Sequence, residues 1–215
     1  MASIKERLDK IREPDCGGSL RSRVLASAMI ALSGILIGVL QKWMDSVAVN
    51  ELPLFLQQID IVNLMGRLTI WILIAVCISV YSKTPLRASL NTFIFFICMV
   101  AGYYVYCNFV LGFLPVSYMM MWVAISFASI FLAYVCWYAK GEGAPAIIIS
   151  AGILGVLLAQ SVILTQGIYV TNGTDLAMWL VGAIVLYRKP KEYAAVLVLS
   201  VIAAVIYQMF IPYWG

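Results

Sequence analysis

The chain contains no histidine, which removes both the commonest catalytic base and the commonest metal ligand. Its five cysteines (Cys16, Cys77, Cys98, Cys107 and Cys136) show no Cys-x-x-Cys spacing. Four of them lie in apolar stretches, where a free thiol behaves as a small hydrophobe. Neither a metal site, nor a cofactor, nor a disulfide framework is therefore expected. No phosphate-binding Gly-rich loop ending in Lys-Ser or Lys-Thr occurs, so the chain is not expected to hydrolyse ATP itself. Charge is scarce too. Asp, Glu, Lys and Arg make up 11% of the 215 residues, against about a quarter in a soluble domain.

What fills the chain instead is apolar: 64% hydrophobic residues and a mean hydropathy of +0.99. The apolar runs are about 20 residues long, the length of a membrane-spanning helix and twice that of a barrel strand. The expected fold class is all-α, a polytopic integral membrane protein of seven transmembrane helices in the lipid bilayer. The expected spans are residues 24–43, 60–82, 89–112, 117–139, 145–165, 175–187 and 192–212. The sixth is short, since 13 residues reach only about 20 Å across a core of about 30 Å.

The net charge of +4 reports topology. Twelve of the 14 Lys and Arg residues fall in four clusters: Lys5 to Arg23, Lys83 with Arg87, Lys140, and Arg188 to Lys191. The clusters occupy every second loop, the positive-inside pattern. A nucleic-acid partner is not expected, because the charge forms no stripe. The pattern predicts a plasma (bacterial inner) membrane protein with a cytoplasmic N-terminus and an external C-terminus. Residues 1–23 form a basic amphipathic head ahead of a single transmembrane domain, 24–215, and carry no cleavage site of a signal peptide. Ser3-Ile4-Lys5-Glu6 has the form of a capping box, and Ile4, Leu8 and Ile11 make an apolar stripe. That helix either lies on anionic lipid or docks a partner. In the long first outer loop, 44–59, Asn50 to Pro53 resembles a helix start, with Leu52, Phe55 and Leu56 as an interfacial anchor or lid.

An internal repeat runs through the spans. Ser33-Gly-Ile-Leu-Ile-Gly-Val-Leu-Gln41 resembles Ala151-Gly-Ile-Leu-Gly-Val-Leu-Leu-Ala-Gln160. Val80-Tyr-Ser-Lys-Thr-Pro85 resembles Leu186-Tyr-Arg-Lys-Pro190, and Ala101-Gly102-Tyr103 resembles Ala203-Ala204 with Tyr207 a turn later. The order of the matches predicts a parallel 3+1+3 arrangement: repeat one over 24–112, a linker helix over 117–139, and repeat two over 145–212. SWEET-type sugar transporters share that plan, but their Pro-Gln pair is absent here and the N-terminus is expected on the opposite side. The last span has no lysine for a retinal, which excludes a rhodopsin. No family resemblance follows.

The polar residues of the spans centre on Asp60 to Arg67. In an unbroken helix Asp60, Asn63, Arg67 and Trp71 share one face, and Arg67 lies roughly 10 Å below its start. A guanidinium at that depth demands a partner or water. Asp60 is the candidate within the same helix. The repeat supplies another: Arg67 lies 14 residues before Tyr81, as Gly173 does before Tyr187. Asn172-Gly173-Thr174-Asp175 is thus expected near the depth of Arg67, as irregular backbone with Thr174 or Asp175 capping the helix that follows, and Asp175 as the ion partner.

Arg67, Asp175, Asp60, Asn63, Gln41, Gln160, Asn172, Tyr103 and Tyr207 are accordingly expected to line an outward-facing polar pocket, in which Arg67 holds a carboxylate or phosphate of a small solute. A structural ion pair that binds nothing is the competing expectation. Small residues on the first span (Ser27, Ala31, Gly34, Gly38) and the fifth (Ala151, Gly155, Ala159) serve close packing inside the chain, or a homo-oligomer or second membrane subunit. Three functions follow in order. The first is a small transporter, or the substrate-binding membrane subunit of one, for a small polar or anionic solute. The second is a non-catalytic structural, assembly or sensor subunit whose polar face binds a partner helix. An intramembrane enzyme comes last, for want of catalytic residues.

Overall fold

A computed structural model describes residues 4–17, 19–165 and 167–211. Ser3 of the expected capping box lies outside these residues. The fold is 80% helical with almost no sheet. Among the described residues five helices are long and apolar enough to cross a membrane: Leu20–Ser46, Pro85–Leu111, Val116–Lys140, Gly143–Ser161 and Pro190–Phe210. Two shorter apolar helices, Leu68–Val80 and Gly173–Val185, complete the set. This is the make-up of a membrane-embedded protein.

The elements are α1 (Ile4–Asp9), α2 (Leu20–Ser46), α3 (Leu54–Gln58), α4 (Ile61–Gly66), α5 (Leu68–Val80), α6 (Pro85–Tyr106), α7 (Val116–Trp137), α8 (Gly143–Ser161), α9 (Gly173–Val185) and α10 (Pro190–Phe210), with strands β1 (Val162–Ile163) and β2 (Tyr169–Val170). Local chemistry sets several starts. Ser19 Oγ accepts from Ser22 N at 3.2 Å and caps α2. Thr84 Oγ1 accepts from Arg87 N at 3.2 Å ahead of Pro85, which sits at the first position of α6, where its missing N–H costs nothing. A π-helical turn, Cys107–Leu111, extends α6 until Gly112 stops it in the left-handed region at φ 70°.

Three expected elements differ. The continuous span 60–82 is broken between α4 and α5, where Arg67 takes extended backbone (φ −88°, ψ 147°) after Gly66, a poor helix former. The shared face of Asp60, Asn63, Arg67 and Trp71 therefore does not form. Span five leaves the helix at Val162 and turns back as an antiparallel hairpin, Val162 opposite Val170. In the first outer loop a 3-10 turn, Val49–Glu51, precedes the short α3, and Leu52 is buried rather than interfacial.

The chain divides into two compact units. The amino-half unit holds Asp15–Gly66 and Ser82–Tyr134; the carboxyl-half unit holds Met1–Pro14, Arg67–Tyr81 and Val135–Gly215. In the amino-half unit α2 and α6 pack along Gly34, Gly38 and Gly102. A Cβ at Gly38 would strike the carbonyl of Met99, and one at Gly102 the carbonyl of Ile35, so only glycine permits this approach. Ser27 Oγ donates to Asn91 Oδ1 at 2.8 Å lower in the same seam. In the carboxyl-half unit α8 and α10 make the corresponding pair, with Gly155 against Ala203 and Ala204. Helices α5 and α9 pack on α8 around a core that includes Val76, Leu154, Leu157, Leu186 and Val196.

Candidate functional site

Each unit gathers its own polar groups. In the carboxyl-half unit the helix break is what frees Arg67. As the N-cap of α5 it leaves the helical path without a side-chain cap of its own. Its Nη1 donates to Asp175 Oδ2 at 2.8 Å, an ion pair between residues 108 apart in sequence. Asp175 is 1% exposed, whereas the Arg67 side chain keeps 30% of its surface. Asp175 Oδ1 and, one turn on, Trp179 Nε1 are buried without a hydrogen-bond partner among the described residues.

The expected cap is corrected. Asn172, not Thr174 or Asp175, caps α9: its Oδ1 accepts from Thr174 N at 2.8 Å and from Thr174 Oγ1 at 2.6 Å. Asp175, placed in the first turn, is thereby left to meet the guanidinium. The backbone around it is well tied. Thr171 Oγ1 donates to the carbonyls of Gln160 and Ser161, both at 3.0 Å. Gln160 Nε2 donates to the Tyr207 hydroxyl at 3.1 Å, and Gln208 spans Leu164 N, Ala159 O and Val162 O. Of the nine predicted residues, Arg67, Asp175, Asn172, Gln160 and Tyr207 belong to this unit, and one ion pair and one hydrogen bond join four of them.

The other four belong to the amino-half unit. Asp60, at φ 51°, accepts twice from Asn63 Nδ2, at 3.0 and 2.9 Å, in a local contact at the start of α4. Asp60 is thus Asn63's partner, and the carboxylate on Arg67 is Asp175. Gln41 and Tyr103 meet at a cavity of about 60 Å³ walled also by Met44, Asp45, Met65 and Tyr118. A space of that size takes more than one water. Gln41 Nε2 donates to Met65 O at 3.2 Å. Beside the cavity Lys42, buried at 8% exposure, pairs with Asp45 at 2.7 Å and lies over the rings of Tyr103 and Phe113 at 5.3 and 5.8 Å. The nine predicted residues include neither Lys42 nor Asp45. The signal for them was an i,i+3 charge pair at the outer end of an apolar run.

Among the described residues no three Cys, Asp or Glu side chains gather as metal ligands would. No protein-family model, curated protein or solved structure matches the chain. Its class rests on its own composition and helices: a largely helical, membrane-embedded protein with a buried ion pair between two short helices.

Proposed function

We propose that the chain is a small membrane transporter, or the substrate-binding membrane subunit of one, for a small polar or anionic solute. The observation that carries this is the Arg67–Asp175 pair at the N-terminal ends of two 13-residue helices, α5 and α9. Interrupted segments at corresponding places in two halves of a membrane protein are where transporters bind their solutes. The two helices are equal in length and hold equivalent places in the proposed parallel 3+1+3 repeat. The packed pairs α2/α6 and α8/α10 support that repeat, because each closes over small residues. With the short helices counted as spans, the total is seven. On that reading the basic loops set the N-terminus in the cytoplasm, the C-terminus outside, and the chain in the plasma membrane. The Arg67 side chain keeps 30% of its surface and suits a carboxylate or phosphate, and Asp175 Oδ1, without a hydrogen-bond partner among the described residues, is an acceptor for a hydroxyl or amine.

One observation favours a second reading, a structural, assembly or sensor subunit. The ion pair is direct at 2.8 Å, so it can fix the register of two helices with no solute at all. A solute library screened by thermal unfolding of the purified chain separates the two. Removing Arg67 alone strands a buried carboxylate, so the informative variant is the double replacement Arg67→Met/Asp175→Leu. A transporter gives a solute that stabilises the native chain and is inert toward the folded double variant. A solute that stabilises both equally, or none from a broad library, refutes the assignment.

A further inference from the structure

A second cluster, independent of the solute reading, lies in the carboxyl-half unit where α5 and α7 end and α8 begins. Arg12 stacks on Trp137 at 4.2 Å and donates to Trp137 O at 2.5 Å and to Val80 O at 2.9 Å. Arg188, whose side chain is 9% exposed, donates through Nη2 to Ala139 O and, at 3.4 Å, to Ser150 Oγ. Its Nε and Nη1 make no hydrogen bond among the described residues; the half-exposed Glu192 carboxylate stands 3.5 Å from Nη1. Lys140 Nζ lies over the Tyr81 ring at 5.6 Å, within electrostatic reach of both guanidiniums.

Carbonyls at helix C-termini account for the direction in which Arg12 and Arg188 point. They do not account for the exposed Lys140 brought up to two like charges, or for two buried guanidinium N–H groups left unfilled. Three positive charges whose one ion pair among the described residues is the loose Arg188–Glu192 contact are mutually unfavourable unless an anion sits among them. We infer that Arg12, Lys140 and Arg188 form a site for a phosphate oxyanion. The planar fork of Arg188 suits phosphate oxygens, which take over Nη1 as Glu192 swings out, and the lysine adds a point charge. Anionic phospholipid headgroups supply that chemistry at a membrane surface. Tyr81 and Tyr187 are exposed at this end of the unit, as interfacial tyrosines are.

The test is thermal unfolding of the full chain in neutral detergent with phosphatidylglycerol, phosphatidylcholine or millimolar inorganic phosphate added. Phosphatidylglycerol should raise the midpoint above phosphatidylcholine at equal mole fraction. Lys140→Gln, which removes no hydrogen bond among the described residues, should weaken that response about fivefold in lipid concentration. Glu192→Gln should strengthen it, because it removes the competing carboxylate; a purely structural Glu192 predicts no gain. An equal rise with inorganic phosphate, abolished by the same lysine variant, supports the site and assigns it to the free anion. Identical midpoints in all three additions, or a full response in Lys140→Gln, overturn it. If Arg188→Gln fails to fold, the lysine and glutamate variants decide alone.

Discussion

Each unit closes two long helices over small residues, yet the ion pair beside the cavity of one and the buried ion pair of the other differ in reach. In the amino-half unit Lys42 finds Asp45 three residues away on the same helix, and Asp60 finds Asn63 in the same manner. In the carboxyl-half unit Arg67 reaches Asp175 across 108 residues, and Gln160 reaches Tyr207 across 47. Local pairs ask nothing of the tertiary structure, and beside them the amino-half unit keeps a cavity of about 60 Å³. Long-range pairs fix one helix against another. The comparison teaches that a charge in an apolar chain has two separate uses, staying soluble within its own turn or specifying a contact, and that only the second makes the fold depend on it.

The sharpest way to break this contrast is to remove one cation from each unit. Arg67→Ala leaves Asp175 buried and uncompensated, a loss of about 3–5 kcal/mol in unfolding free energy. Lys42→Ala leaves Asp45, whose side chain is 49% exposed and hydrates readily. That loss should stay near 1 kcal/mol, mostly from contact with the Tyr103 and Phe113 rings. Denaturant unfolding in detergent measures both. Equal losses would end the distinction.

Next in size are the glycine seams, where the two units should behave alike. Gly38→Ala drives a Cβ into the Met99 carbonyl, and Gly155→Ala drives one against Ala203, each an overpacking of about 1–3 kcal/mol. Gly152, on the same helix as Gly155, has nothing within 4 Å of an added Cβ. Gly152→Ala should therefore stabilise by up to about 1 kcal/mol through helix propensity. If Gly155→Ala were as benign as Gly152→Ala, the packing of α8 on α10 would be looser than that of α2 on α6.

How much of this was legible in the sequence divides along the same line. Hydropathy and run length carry the helical, membrane-embedded class, because a span must satisfy its backbone internally whatever surrounds it. The Arg67–Asp175 pair was expected from the proposed repeat, which converts sequence distance into depth. The break at Arg67 was not, because apolar residues continue on both sides and Gly66 alone is tolerated within helices. With the break went the supposed face from Asp60 to Trp71. The cap on α9 was misplaced by two to three residues because Asn172, Thr174 and Asp175 are all competent caps, and only the fold chooses among them. Gln41 and Tyr103, two of the nine residues expected in one pocket, line a cavity with Asp45 that depends on side-chain packing no periodicity encodes.

The smallest effect concerns the pair that joins the amino-half unit's two segments near their starts. Lys83 Nζ lies 2.9 Å from Asp15 Oδ2, Asp15 N donates to Lys83 O at 2.9 Å, and Gly17 N donates to Asp15 Oδ1 at 2.8 Å. The hydrogen bond from Lys83, then that from Gly17, holds the Asp15 carboxyl below its ordinary value. A carboxyl depressed in the folded state adds stability that is full above its unfolded value, near pH 4, and lost as pH falls through the folded one. The midpoint difference between the native chain and Asp15→Asn should therefore be constant from pH 7 to about 5 and shrink below about 4. Both side chains are more than half exposed, so salt should shrink it as well. A difference that grows on acidification, or ignores salt, would mean that Asp15 acts through its backbone and local turn. The ion pair would then add nothing to the contrast between the units.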